Sequence, residues 1–439
     1  MRRRTAVGVV LALVGCTRVL TDTEVAPVAT VRVAPDSTDL PIGTATRLRA
    51  FPLDTTGAFR PGATVQWASS DPQVASVDDD GTVTGSGTGT VTITASTRGV
   101  QGSARVRVGP APVLTLDVRS VRFDAQAGQP IPPPQMIAVT NTGGLTLSGL
   151  AVGSVTYGAG SQGWLLAQLD ATTAPATLTL RAATAGITQA GTYTATIPIA
   201  SSTATNSPQS IEVVLVVTPG PPATYQMTIA AGNNQLAPVG SALPDDPTVR
   251  VTDAFGNPIL GLPVTFLVTE GGGSITDEMT LTDAQGLAAV GSWTVEAFGP
   301  VPADGRFINR LQASAPSAGA VSITGFAYYS YVTHVHPLWA PSGCTGCHGN
   351  LGGFRVSGDA AETYTGELFD VPTACGGGAF KQVAAGGGIA AETNSLLILK
   401  LDNASPAVCP APMPTNGVLI PAAVRDVIRA WIRAGAPMN

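Results

Sequence analysis

Short apolar and β-branched runs, closed off every ten residues or so by Gly, Pro, Asp or Ser, fill most of this 439-residue chain. Val31 and Val33 flank Arg32, Leu48 and Ala50 flank Arg49, and Val91 and Ile93 flank Thr92. That two-residue alternation is the mark of half-buried strands, and repeated at this spacing it predicts β-sandwiches. The 51 glycines and 35 prolines supply the turns and show no strict Gly-X-Y period, so collagen is excluded. Charged residues are only 12% and hydrophobic residues 44%, a balance that argues for packed cores over disorder. At about 150 residues per domain, the length predicts three or four domains. A net charge of −6 offers no basic stripe for nucleic acid. Only three histidines occur, His334, His336 and His348, so histidine chemistry is confined to one short stretch.

The N-terminus reads as an address. Arg2-Arg3-Arg4 precedes the mostly apolar run Thr5 to Gly15, which is too short for a span of about 20 residues. The run ends in Leu13-Val14-Gly15-Cys16, which resembles the lipobox of bacterial lipoproteins. The resemblance implies a signal peptide over 1–15 and lipidation of Cys16 at the head of a linker over 16–27. It also implies an outer-membrane lipoprotein of the cell envelope, facing the periplasm or the outside. The alternative is an ordinary signal peptide with a chance cysteine.

Three β modules are expected next. In the first, over 28–108, Val65-Gln66-Trp67-Ala68-Ser69-Ser70-Asp71-Pro72 leads to Val74-Ala75-Ser76-Val77 and to Asp80-Gly81-Thr82-Val83-Thr84-Gly85. This resembles the bacterial Ig-like group 2 family, which would make Trp67 a core tryptophan and Asp80-Gly81 a hairpin turn. The run Asp78-Asp79-Asp80 lacks the alternate ligands and distal Glu of an EF-hand and is read as a solvated turn. The second, over 111–218, has a strand and turn at Met136 to Gly144 and a closing strand at Ile211 to Val217, and resembles Ig-like sandwiches in general. Its Gly158-to-Gly163 stretch matches G-x-G-x-x-G without a βαβ context and is read as a loop. The third, over 223–327, carries Val251 to Pro258, Val264-Thr265-Phe266, Thr282 to Ala288 and Trp293. It resembles the bacterial Ig-like group 1 modules of intimin and invasin stalks. Asp-x-x-Gly turns account for these residues structurally. Gly109 to Pro112 and Pro219 to Pro222 read as stiff joints.

The chemistry is concentrated after residue 328. Cys344-Thr345-Gly346-Cys347-His348 is C-x-x-C-H, the attachment signature of haem c. Two thiols must reach two vinyl groups of one porphyrin, with an imidazole below the iron, and one helical turn supplies both. With five cysteines and three histidines, the chance expectation for the motif is on the order of 4 in 10,000. A zinc site would need further paired ligands, and Cys375 and Cys409 stand apart from each other. A thioredoxin-like motif would need a βαβ unit, and a lone 344–347 disulfide leaves His348 unexplained.

A short helix is predicted over Asn394 to Leu401, and an amphipathic helix over Ile420 to Ala434, with Val424, Val427, Ile428 and Trp431 on one face. The order C-x-x-C-H, Ser395-Leu396-Leu397, Met413-Pro414, Trp431 to Ala436 resembles the planctomycete-type cytochrome c domains over 328–439. The resemblance implies His348 as proximal and Met413 as distal ligand of the haem iron, with His334 and His336 as rivals for the distal place. Cys375 and Cys409 are an even pair left after haem attachment, a candidate disulfide in an oxidising compartment, or else two buried thiols.

The expected fold class is therefore three all-β Ig-like sandwiches followed by a small, mostly α cytochrome c domain. The expected function is electron transfer by a membrane-anchored mono-haem cytochrome on an Ig-like stalk, with redox proteins as partners and no enzymatic turnover. The alternative is an Ig-like adhesin whose cytochrome domain is incidental.

Overall fold

The computed structural model describes residues 27–160, 162–183, 187–348, 355–366, 368–369, 382–403, 413 and 418–439. It is mostly β, with the described α-helices confined to the end of the chain. The signal stretch and Cys16, Cys375 and Cys409 lie outside the described residues.

The first module is a sandwich. Its four-stranded sheet runs Ser37–Pro41, Val100–Gly109, Gly89–Thr97, Gln66–Ser69, the first pair parallel and the others antiparallel. A three-stranded sheet of Ala45–Arg47, Thr82–Gly85 and Ala75–Val77 and a two-stranded one of Thr30–Ala34 and Arg49–Leu53 complete it. The expected alternation is present: Val31, Val33, Val91 and Ile93 are buried, with Leu48, Val83, Val106 and Val108 between them. Trp67 departs from expectation. It is half-buried at the core's margin, because Gln66–Ser69 is an edge strand that presents no fully covered position.

Turns of one design recur. In Asp54-x-x-Gly57, Asp78-x-x-Gly81, Asp253-x-x-Gly256 and Asp283-x-x-Gly286 the carboxylate accepts the backbone N–H groups two and four residues on. The aspartate carbonyl accepts the glycine N–H in each. The glycines have φ between +76° and +84°, a conformation costly for residues with a Cβ. Asp78 thus gives the acidic run a structural task.

The second module has a four-stranded antiparallel sheet, Leu114–Leu116, Gln135–Asn141, Ala176–Ala182, Leu165–Leu169. Asn141 fixes the expected turn by accepting the Gly143 and Val113 N–H groups and donating to the Leu145 carbonyl. The glycine-rich stretch from 158 is followed by the strand Leu165–Leu169, so no phosphate-binding helix start exists there. Between the first two modules, Arg107 forms a fork with Asp39 at 2.9 and 2.6 Å, and Thr146 bonds to both residues. The Arg107 hydrogen bond, against a smaller desolvation cost, holds the Asp39 carboxyl down at about 2.

The third module has a five-stranded sheet, Gln235–Pro238, Gly319–Tyr328, Phe307–Ala315, Pro263–Glu270, Met279–Leu281, and two three-stranded sheets. Its core holds Val249, Phe266, Trp293, Leu311 and Ile323. At the preceding proline joint, the buried Asp253 accepts the Gly220 N–H at 2.6 Å and the Asn257 amide at 2.8 Å. Asn257 in turn bonds to the Thr188 carbonyl and the Ala190 N–H. The proline joint thus carries a buried, hydrogen-bonded carboxylate.

The chain divides into two compact units: one holds residues up to 121, 133–182 and 194–214, and the other 122–132, 183–193 and 215–439. The helical segment therefore shares a unit with the third sandwich, and the expected boundary at 327/328 falls inside a single compact body. A strand, Gly319–Tyr328, runs across it.

The turn at Gly81 yields a direct test. A Cβ there would sit 2.7 Å from the Leu48 carbonyl and 2.8 Å from the Trp67 ring, at φ +79°. Gly81→Ala should destabilise the first module by about 1–3 kcal/mol. Hydrogen exchange should show lost protection across Ala75–Val77 and Thr82–Gly85, with Phe307–Ala315 unchanged.

Candidate functional site

The C-x-x-C-H residues are delivered by a compact series of turns. Ser330 accepts the Thr333 N–H and opens the π-helical turn Tyr331–Val335, which passes into the 3-10 turn His336–Leu338. Gly343, at φ +75°, reverses the chain, and the Cys344 N–H reaches back to the Trp339 carbonyl at 2.9 Å. The helix Cys344–His348 follows, so the motif occupies one helical turn, with Cys344, Cys347 and His348 at positions i, i+3 and i+4. The Val356 N–H bonds to the His348 carbonyl at 2.9 Å and carries the chain away from that turn.

The surrounding core is apolar and aromatic. Tyr331, Trp339 and Trp431 are buried, with Leu397, Ile398, Leu401, Ile428 and Ile432 around them. Tyr331 lies 5.3 Å from Trp431 and 5.4 Å from Tyr364, centroid to centroid. Its hydroxyl accepts the Trp339 indole N–H at 3.0 Å, and burial pushes its pKa up to about 12. Cys344 and Met413 both pack, half-buried, against this same core. Met413 is tied there by its N–H to the Lys400 carbonyl, 3.1 Å, at the end of the helix Leu396–Leu401.

The two rival histidines differ in how they are engaged. The Ser330 backbone N–H donates to His334 Nδ1 at 3.1 Å, and His334 Nε2 lies 3.0 Å from the Val239 carbonyl. A carbonyl only accepts, so Nε2 carries the proton and neither nitrogen has a lone pair to offer. His336 Nε2 donates to the Ser357 carbonyl at 3.0 Å, which leaves Nδ1 as the lone-pair nitrogen of that ring.

A partly buried ion network fastens the helices around this core. On the terminal helix Ala422–Arg433, Arg429 bonds to Glu392 at 2.6 Å, Asp402 at 2.5 Å and Asp426 at 2.6 Å. Arg425 adds a second bond to Asp402, and Arg433 one to Glu392. Burial works against the Arg429 charge, but its bonds to Asp402 and Glu392 outweigh it and hold the guanidinium pKa above its ordinary value. Sequence patterning gave the helix and its apolar face. It missed the network, two of whose three acids, Asp402 and Glu392, lie 27 and 37 residues upstream of Arg429.

The donor set fits a c-type haem: a thiol and an imidazole on one helical turn, and a thioether on the same apolar core. Among the described residues, no group of three or more His, Cys, Asp or Glu side chains converges as a separate metal site. No helix among them is long and apolar enough to cross a membrane.

Comparison with known proteins identifies one segment of the chain by family. Residues 27–108 match the bacterial Ig-like domain (group 2). No curated protein matches the chain. Among solved structures, cadherin domains 3–6 of protocadherin gamma B2 align at 12% identity over 68% of this chain and 72% of that one, with a TM-score of 0.33. Mouse cadherin-23 EC22–24 aligns at 12% identity over 68% and 98%, TM-score 0.34. Domains 4–9 of the surface layer protein SbsC align at 17% identity over 69% and 48%, TM-score 0.22. The chain is a multi-domain, mostly β protein that carries a bacterial Ig-like domain (group 2) match at residues 27–108.

Proposed function

We propose that this protein is a mono-haem c-type cytochrome carried on an Ig-like stalk and anchored to the bacterial envelope through Cys16. The observation that carries the reading is the C-x-x-C-H turn set against an aromatic core that also receives Met413. Cys344 and Cys347 would hold the haem covalently, His348 would provide the proximal nitrogen, and Met413 the distal sulfur. When bound, the haem supplies a one-electron iron couple whose potential follows from its axial ligands and burial. With His348 and Met413 both holding the iron, outer-sphere transfer to redox partner proteins would be favoured over substrate turnover.

His334, whose two ring nitrogens are both hydrogen-bonded, is disfavoured against Met413 as distal ligand, whereas His336 keeps Nδ1 as an acceptor and stays the rival. An adhesin is the second reading. It draws on the group 2 match at 27–108 and on the run of sandwiches up to the helical segment. It would gain ground if the protein mediated attachment while carrying no haem.

Three experiments test the proposal. The denatured protein should keep peroxidase-active haem on a gel, and a Cys344→Ala, Cys347→Ala double variant should lose it. Haem that extracts into acidified butanone would contradict covalent attachment. Met413→His should lower the midpoint potential and abolish the near-infrared sulfur-to-iron band. An unchanged spectrum and potential in Met413→Ala would return the distal place to a histidine. Cys16→Ser should move the protein from the membrane to the soluble fraction, because stable anchoring needs the acyl chains that a mature lipoprotein carries. Unchanged partition would remove the lipobox reading.

A further inference from the structure

We infer that the third sandwich is the folding scaffold of the helical segment, and that the terminal helix closes both cores at once. The inference is independent of the cytochrome reading.

The described helices of the segment have 5, 7, 6, 6 and 12 residues. Helices shorter than about 12–15 residues are marginal alone and depend on tertiary packing. In Ala422–Arg433 that packing comes from two sides. Ile428, Trp431 and Ile432 enter the helical core, while Ala430, on the other side, belongs to the buried core of the third sandwich.

The close approach is built into the residue types. Gly305 of the sandwich has φ +70°, and a Cβ there would lie 2.2 Å from the Ala430 carbonyl oxygen and 2.4 Å from the Ala434 nitrogen. No side chain fits between these backbones. Arg433 then spans the joint: its Nη1 donates to the Val301 and Pro302 carbonyls at 3.0 and 3.1 Å, while its Nε holds Glu392 of the helical segment. The guanidinium is largely buried, so without the sandwich its N–H groups would lose acceptors that water does not fully replace. His334 adds its bond to Val239 of the sandwich, and Asn439 donates to the Tyr328 hydroxyl at 2.7 Å. The Phe307 and Tyr329 rings meet edge to face at 5.6 Å. Groups so shared open together, and the sandwich and the helices should behave as one cooperative unit.

Hydrogen exchange on the full chain tests this with two reciprocal variants. Gly305→Val acts from the sandwich side and should raise exchange about tenfold or more in Ala422–Arg433 and Leu396–Leu401. Arg433→Gln acts from the helix side and should raise exchange in Ser292–Val295 and Phe307–Ala315. Protection in Gly89–Thr97 should stay unchanged in both. The inference is overturned if each variant loosens only its own side of the joint. If Gly305→Val does not fold, Arg433→Gln decides alone, and undisturbed sandwich strands overturn it. The readout requires no haem, so its failure is distinct from failure of the cytochrome reading.

Discussion

The two-sided burial of the terminal helix is the constraint on which the C-terminal half depends. Its twelve residues present Ile428, Trp431 and Ile432 to one core and Ala430 to another, and its three arginines gather Glu392, Asp402 and Asp426. The Leu396–Leu401 helix that positions Met413 is held through Asp402, at its end, by Arg425 and Arg429. The turn that leads to C-x-x-C-H is held through the chain's last residues, whose Pro437 and Met438 carbonyls accept the Tyr331 and Val332 N–H groups. The Met413 segment and the turn before C-x-x-C-H are thus both tied to the terminal helix and the residues that follow it. For a redox centre this matters, since electron transfer without turnover benefits from ligands that do not rearrange.

Local signals are legible in the sequence, and long-range ones are not. Alternation at Val31, Val33, Val91 and Ile93 predicts strands that the structure contains, because a period of two reports directly on burial. The Asp-x-x-Gly turns are readable for the same reason, since carboxylate, N–H groups and glycine all lie within five residues. Trp67 escapes such a reading because residue type alone does not say which strand lies at a sheet edge. The joint between sandwich and helices is invisible in the sequence. Arg433 meets Val301 across 132 positions and His334 meets Val239 across 95, and neither pairing leaves a periodic trace. The motif residues Cys344 and His348 are plain from spacing, but their setting against Tyr331, Trp339 and Trp431 requires the fold.

The β modules contribute in different ways. The first two are fastened by a surface fork in which Asp39 and Arg107 hold Thr146. The third carries the buried Asp253 at one end and the helical segment at the other. The helical segment that bears the C-x-x-C-H turn packs directly on the third sandwich.

The absorption spectrum of the exported full-length protein, recorded oxidised and then reduced, tests the central claim most directly. The account predicts a reduced spectrum with the sharp α and β bands of a six-coordinate c-type haem, at one haem per chain. A protein that folds, leaves the cytoplasm through a cytochrome-maturing host and shows no visible absorption would contradict it.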